Sequence, residues 1–244
     1  GGSGFEPEPV NVEAVAITGE AYVGATLTAT TTPSGASVTY QWMRATAEDG
    51  DYEDITEATN KTYVLTGDDA NKYIKVKVTG TGGYTGTAES AAVGPVLGVT
   101  DVPGSRIDQF NTKIDGVKLV VDEDGRARFT FDSEVGWPSD QNPNVDLGAD
   151  ASKVYVDILV KAPEGAKQVA VNGSDKVPLD NEINGTTPEG ALYYIPVAQK
   201  DTNGNPFGFS EAKTWKLTFW WYDEAGKLVR VETLEVTREA YVEQ

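Results

Sequence analysis

Between Val38 and Val78 the chain runs V-T-Y-Q-W at one end and L-T-G-D-D-A-N-K-Y-I-K-V-K-V at the other. Together these segments restrict the fold more than any other stretch. In the first, strand alternation puts Val38, Tyr40 and Trp42 on one face and Thr39, Gln41 and Met43 on the other. In the second, the acidic turn Gly67-Asp68-Asp69-Ala70 leads into a strand on which Ile74, Val76 and Val78 share a face, with Tyr73, Lys75 and Lys77 opposite. A large ring on an early strand, with a tyrosine just past an acidic turn on a late one, is a way for a two-sheet sandwich to tie its layers. Trp42 is therefore expected between the sheets. The Tyr73 hydroxyl is expected to bond to backbone near the Gly67–Ala70 turn, as a tyrosine corner does.

The surrounding sequence agrees. From Val10 to Val96 short β runs alternate with turn residues at close spacing, the pattern of an all-β sandwich. Val15-Ala16-Ile17 forms a first strand, Leu27 lies among threonines before the Pro33-Ser34-Gly35 turn, and Gly80–Gly86 is a glycine-rich hairpin loop. Three phrases stand in order here: A-Y-V-G-A-T-L-T-A, then V-T-Y-Q-W, then N-K-T-Y-V-L-T-G-D-D-A-N-K-Y-I-K-V-K-V-T-G-T-G-G-Y-T-G-T. Over residues 10–98 they resemble an immunoglobulin-like repeat of Gram-positive (Firmicutes) cell-surface proteins, such as S-layer-associated proteins, cell-wall hydrolases and adhesins. The resemblance implies a spacer or adhesive module outside the cell, and it brings no catalytic residues. Antibody domains pin the equivalent tryptophan on a disulfide. With no cysteine in this chain, Trp42 must pack on aliphatics such as Ile74 or Val76.

Residues 1–9 open as G-G-S-G and then F-E-P-E-P, which reads as a cloning scar or linker ahead of a piece of a longer protein. Residues 99–109, with Pro103-Gly104-Ser105 at their centre, read as a short linker. Residues 110–244 read as a second β-sandwich, immunoglobulin-like or carbohydrate-module-like. It contains a hairpin turning at Asp122-Glu123-Asp124-Gly125, a strand K-V-Y-V-D-I-L-V-K, and a segment Lys167–Asn172 expected to pair back through the A-P-E-G turn. Its last hairpin turns at Glu224-Ala225-Gly226. The fold class is thus all-β, with two tandem sandwich domains and no helix of useful length.

Function is constrained first by what is missing. The 244 residues contain no histidine and no cysteine. Ser-His-Asp and Cys-His catalysis, ordinary zinc sites and disulfides are all unavailable. A carboxylate pair of the glycosidase kind stays formally open, but 38 acidic residues make such a pair expected by chance. A net charge of -18 disfavours nucleic acid and anionic membranes. No apolar run approaches the roughly 20 residues of a membrane helix.

Two candidate sites remain. In T-W-K-L-T-F-W-W-Y, alternation gives Trp215, Leu217, Phe219 and Trp221 to the core and leaves Trp220 and Tyr222 on the outer face. Two outward rings could stack on a sugar, with Trp137 in a loop as a third. The other reading is that a loop or the first domain covers them. A β-bulge in the run would remove the argument. Oxygen ligands at alternate positions, Asp140, Asn142, Asn144 and Asp146, or Asp201, Asn203 and Asn205, could contribute to a Ca2+ site, and the second set is equally a good turn. The sequence therefore reads as a non-enzymatic module without a required cofactor. Its expected place is the cell wall or surface, as spacer or adhesion unit for an extracellular ligand. The alternative is polysaccharide binding by the second domain.

Overall fold

The computed structural model of the chain describes residues 2, 4–111, 117–123, 126–131, 153–181, 185–200, 206–207 and 211–240. It divides into two compact units, Gly1–Val99 and Thr100–Gln244. Both are all-β. Among the described residues the helical content is two single 3-10 turns, Gly67–Asp69 and Gly104–Arg106.

The first unit contains β1 (Val10–Asn11), β2 (Ala14–Thr18), β3 (Thr26–Thr32), β4 (Val38–Ala45) and β5 (Glu53–Asp54). It continues with β6 (Thr62–Val64), β7 (Tyr73–Gly80), β8 (Tyr84–Thr85) and β9 (Thr87–Glu89). They form a three-stranded sheet β2-β3-β6, a four-stranded sheet β5-β4-β7-β9, and a small parallel pair of β1 with β8. Val15, Leu27 and Ala29 from the first sheet meet Trp42, Ile74 and Val76 from the second in one apolar cluster. The period-2 pattern explains this: Ile74, Val76 and Val78 are all fully buried, and Trp42 is 0% exposed. Trp42 lies opposite Val76 in the sheet and stacks on Tyr63 at 5.7 Å between centroids. Its indole N–H donates to the Asn60 carbonyl at 2.8 Å, so the buried polar atom of the ring is satisfied.

The tyrosine that ties the turn is not the expected one. No hydrogen bond of the Tyr73 hydroxyl is found among the described residues. Tyr63 does that work, donating to the buried Asp69 carboxylate at 2.7 Å. Asp69 also accepts from the Thr66 N–H at 2.8 Å, reaching back as the third residue of a capping box does.

The second unit opens with β10 (Val99–Asp101), β11 (Ile107–Asn111), β12 (Val117–Val121), β13 (Ala127–Phe131), β14 (Lys153–Lys161) and β15 (Gln168–Val171). It goes on through β16 (Val177–Pro178), β17 (Thr186–Thr187), β18 (Gly190–Lys200), β19 (Pro206–Phe207), β20 (Lys213–Tyr222) and β21 (Leu228–Arg238). A seven-stranded sheet has the order β12-β13-β21-β20-β15-β16, with β10 also on β21. A five-stranded sheet has the order β11-β14-β18-β17, with β19 also on β18. Phe129, Leu217, Phe219 and Trp221 of the larger sheet pack with Ile158 and Ile195 of the smaller. Both hairpins expected from sequence form: Val121 pairs Ala127, and β20 pairs β21 along its length. Gly226, at φ +82°, supplies the left-handed residue of the second turn. At Gly190 a Cβ would run into the Val160 carbonyl, so only glycine lets β18 start so close to β14.

Two expectations fail here. Residues 99–109, read as a short linker, are built into the sheets: they contribute β10 to one and begin β11 of the other. The Arg106 guanidinium anchors them, making two bonds to Glu232 at 2.8 and 3.0 Å and two to the Lys161 carbonyl at 2.6 and 3.2 Å. Nor does Lys167–Asn172 pair back across A-P-E-G. β15 pairs with β16 and β20, so that turn carries the chain from one sheet to the other.

Candidate functional site

Leu217, Phe219 and Trp221 take the core face of β20 as alternation requires, and Trp215 is partly buried against them. The outer pair behaves differently. Trp220 is half-buried, and Tyr222 is only 6% exposed. Of the two readings of Tyr222, an open ring or a covered one, its burial matches the second. Two features explain this. β20 is an interior strand, so Ala170 and Gln168 of β15 stand opposite Trp220 and Tyr222. The Lys176 ammonium then lies 4.4 Å from the Tyr222 ring centroid, in cation–π range, and donates to the Gly226 carbonyl at 3.4 Å. The register of β20 on β21 also shifts between Trp221 and Tyr222, a β-bulge at the position where alternation matters. Trp137, Asp140, Asn142, Asn144, Asp146, Asp201, Asn203 and Asn205 lie outside the described residues. Among the described residues no group of three or more acidic side chains is placed to hold a metal ion.

Among the described residues, each unit instead has one buried carboxylate that gathers donors. In the first, Asp69 accepts from Tyr63, from the Thr66 N–H and hydroxyl, and from Arg44 at 3.1 Å. Burial alone would raise its pKa, but the Thr66 N–H, Tyr63, Arg44 and the Thr66 hydroxyl outweigh that and hold it below the ordinary value. Burial, then the bond to Asp69, pushes the Tyr63 phenol up to about 12. In the second unit Glu232, 3% exposed, accepts from Arg106 and from the Trp221 indole N–H at 2.9 Å, with Arg230 at 3.4 Å. These groups are saturated by the protein, which marks them as structural locks.

An open concavity is found elsewhere in the second unit. A cleft of about 690 Å3 lies between β15–β16 of the larger sheet and β17–β18 of the smaller. Val169 and Val177 give it an apolar side, and Tyr193, Tyr194, Ser174 and Asp175 a polar one. Tyr194, 46% exposed, is on the outward register position opposite Asp157, while Tyr193 pairs with the core residue Ile158. The Tyr193 hydroxyl accepts from the Asn172 amide at 3.4 Å, and the Asn172 carbonyl oxygen accepts from the Thr218 N–H at 2.9 Å. Asn172, at φ +51°, turns β15 toward β16 and so sets that phenol in place. The sequence did carry a signal for this site. A-L-Y-Y-I-P puts two adjacent rings on one strand, one per face, but nothing local shows that a cleft opens beside them.

No family model matches the chain, and no curated protein matches it. Among solved structures, one with some likeness is that of a 1.5-MDa bacterial ice-binding adhesin, from work on its retention at a host cell surface. It is 11% identical, with 96% of this chain and 67% of that chain covered, at a TM-score of 0.26. A likeness that slight carries neither fold nor function. The fold defines an all-β protein of two units, each built on two main sheets packed around its own core. No helix of the described residues is long and apolar enough to cross a membrane.

Proposed function

We propose that this chain is a non-catalytic module of a bacterial surface protein, acting outside the cell as a structural spacer or adhesive unit. The observation that carries the proposal is that each unit closes by itself. Each has its own core and its own carboxylate lock, Asp69 or Glu232, in a chain with no cysteine to oxidise and no histidine to do acid–base work at neutral pH. Such a module holds its shape wherever it is secreted. The immunoglobulin-like reading of residues 10–98 draws support from the sheet orders β2-β3-β6 and β5-β4-β7-β9, which put early and late strands side by side. A net charge of -18 keeps such a surface soluble and away from anionic membranes and nucleic acid.

The test is location. Antibodies raised against the purified chain should label intact cells of its source, and protease added outside those cells should remove the label. Labelling that appears only after lysis would overturn the surface assignment.

A further inference from the structure

We propose that the cleft between β15–β16 and β17–β18 binds a neutral saccharide. In this assignment Tyr194 is the stacking surface, the Asp175 carboxylate accepts from sugar hydroxyls, and the Tyr193 hydroxyl donates to one. The proposal goes beyond the surface-module reading and owes nothing to Trp220 or Tyr222.

Size admits the ligand: about 690 Å3 lies within the range of ordinary small-molecule sites. The lining then selects its chemistry. In a chain with 38 acidic and 20 basic residues, the ten described residues around this cleft include one acid and no base. Lys176, next in sequence to Asp175, is turned away onto the Tyr222 ring. Among the described residues an anion would find no basic partner here, and a cation would find one carboxylate where the rest of the surface offers many. A neutral ligand with an apolar face and a hydroxylated edge matches the mixture of valines, phenols and a single carboxylate.

The hydrogen-bonding inventory points the same way. The Thr186 hydroxyl is used internally, donating to the Pro178 carbonyl at 2.8 Å and accepting from the Asn181 N–H at 2.9 Å. Ser174 is used as well, accepting from the Val171 N–H at 3.1 Å. Tyr193 differs. Its oxygen accepts from Asn172, so its own proton remains to be given. Asp175 is exposed and makes no ion pair or side-chain hydrogen bond among the described residues. The cleft thus keeps one donor and one two-oxygen acceptor uncommitted, beside a ring that is 46% exposed. That is a minimum set for holding an oligosaccharide: a face to pack one sugar on, an acceptor for adjacent hydroxyls and, from the opposite face of β18, a donor for a neighbouring sugar.

The experiment is an NMR titration of the full chain with cellohexaose, xylohexaose, maltohexaose and chitohexaose. At least one should shift the amide resonances of Asp175, Tyr193 and Tyr194, with an affinity little changed by added salt because no charge pair holds a neutral sugar. Tyr194→Ala should weaken binding roughly tenfold or more, as loss of an aromatic anchor does, while Tyr194→Phe, which keeps the ring, should leave it nearly unchanged. Asp175→Asn and Tyr193→Phe, which keep the shape, should each weaken it less. Absence of shifts with all four sugars overturns the proposal. So do shifts centred on Trp220, binding that survives Tyr194→Ala, or preferential, salt-sensitive binding of spermidine at the same resonances. Surface labelling of cells is a separate readout, so either proposal can fail without the other.

Discussion

The first unit is locked by a carboxylate whose partners all lie within 25 residues, the second by one whose strongest ion pair, to Arg106, spans 126. Asp69 takes its bonds from Thr66, three residues away, from Tyr63, six away, and from Arg44, 25 away. Glu232 takes its bonds from Trp221, 11 away, and from Arg106, 126 away. The entropic cost of closing a loop grows with its length, though slowly, so the second lock comes late and holds more chain once formed. Arg106 at once satisfies Glu232 and the Lys161 carbonyl, joining the two sheets and the segment that enters the unit. The same buried chemistry therefore serves two purposes: Asp69 shapes a turn, and Glu232 fastens the two sheets of its unit to each other.

The largest effect should come from the core ring of the first unit. Trp42→Ala is expected to cost about 3–5 kcal/mol in chemical denaturation, as large aromatic truncations in tight cores do. A loss below about 1 kcal/mol would mean that the first unit is not organised around that ring. Glu232→Ala should come close behind, at about 3–5 kcal/mol, because it strands a guanidinium and an indole N–H in the interior. An equally large loss in a Glu232→Ala/Arg106→Leu double variant would show that the pair is not the cause.

The pH response should separate the units next. The Asp69 carboxyl titrates below its ordinary value in the folded chain. The stability it supplies is present above the unfolded value and is lost as the pH falls through the lower folded one. Tyr63 is shifted the other way. Its neutral form is favoured, so its contribution is intact below 10.0 and is lost as the pH rises toward about 12. Melts of the wild type and of Asp69→Asn across the acid range should converge as the pH drops, and parallel curves would contradict the role given to Asp69. Smaller again, Tyr63→Phe should cost about 1.5 kcal/mol, the size of a bond to a charged acceptor. Tyr73→Phe should change stability by under about 0.5 kcal/mol, since its hydroxyl ties nothing down. Reversal of that last order in melts of the two variants would restore the corner to Tyr73.

What the sequence by itself determined is whatever follows from a period of two and a local turn. V-T-Y-Q-W and K-Y-I-K-V-K-V place Trp42, Ile74, Val76 and Val78 inside, and T-W-K-L-T-F-W-W places Leu217, Phe219 and Trp221 inside, because pleating sends alternate side chains to opposite faces. The hairpin turns at Asp122 and at Gly226 were legible for the same local reason. Only the tertiary structure decided which sheet a strand joins and what lies over its outer face. β15 crosses to β20 instead of pairing back on β14, and residues 99–109 enter the sheets because Arg106 finds Glu232. Tyr222 is covered because Lys176 comes from the neighbouring turn, and Tyr63 displaces Tyr73 because Asp69 points toward it. The cleft beside Tyr193 and Tyr194 belongs with these, since a concavity is a relation between two sheets. Periodicity reports which way a side chain leaves its own backbone; what it meets there depends on residues tens of positions away, and no local pattern encodes them.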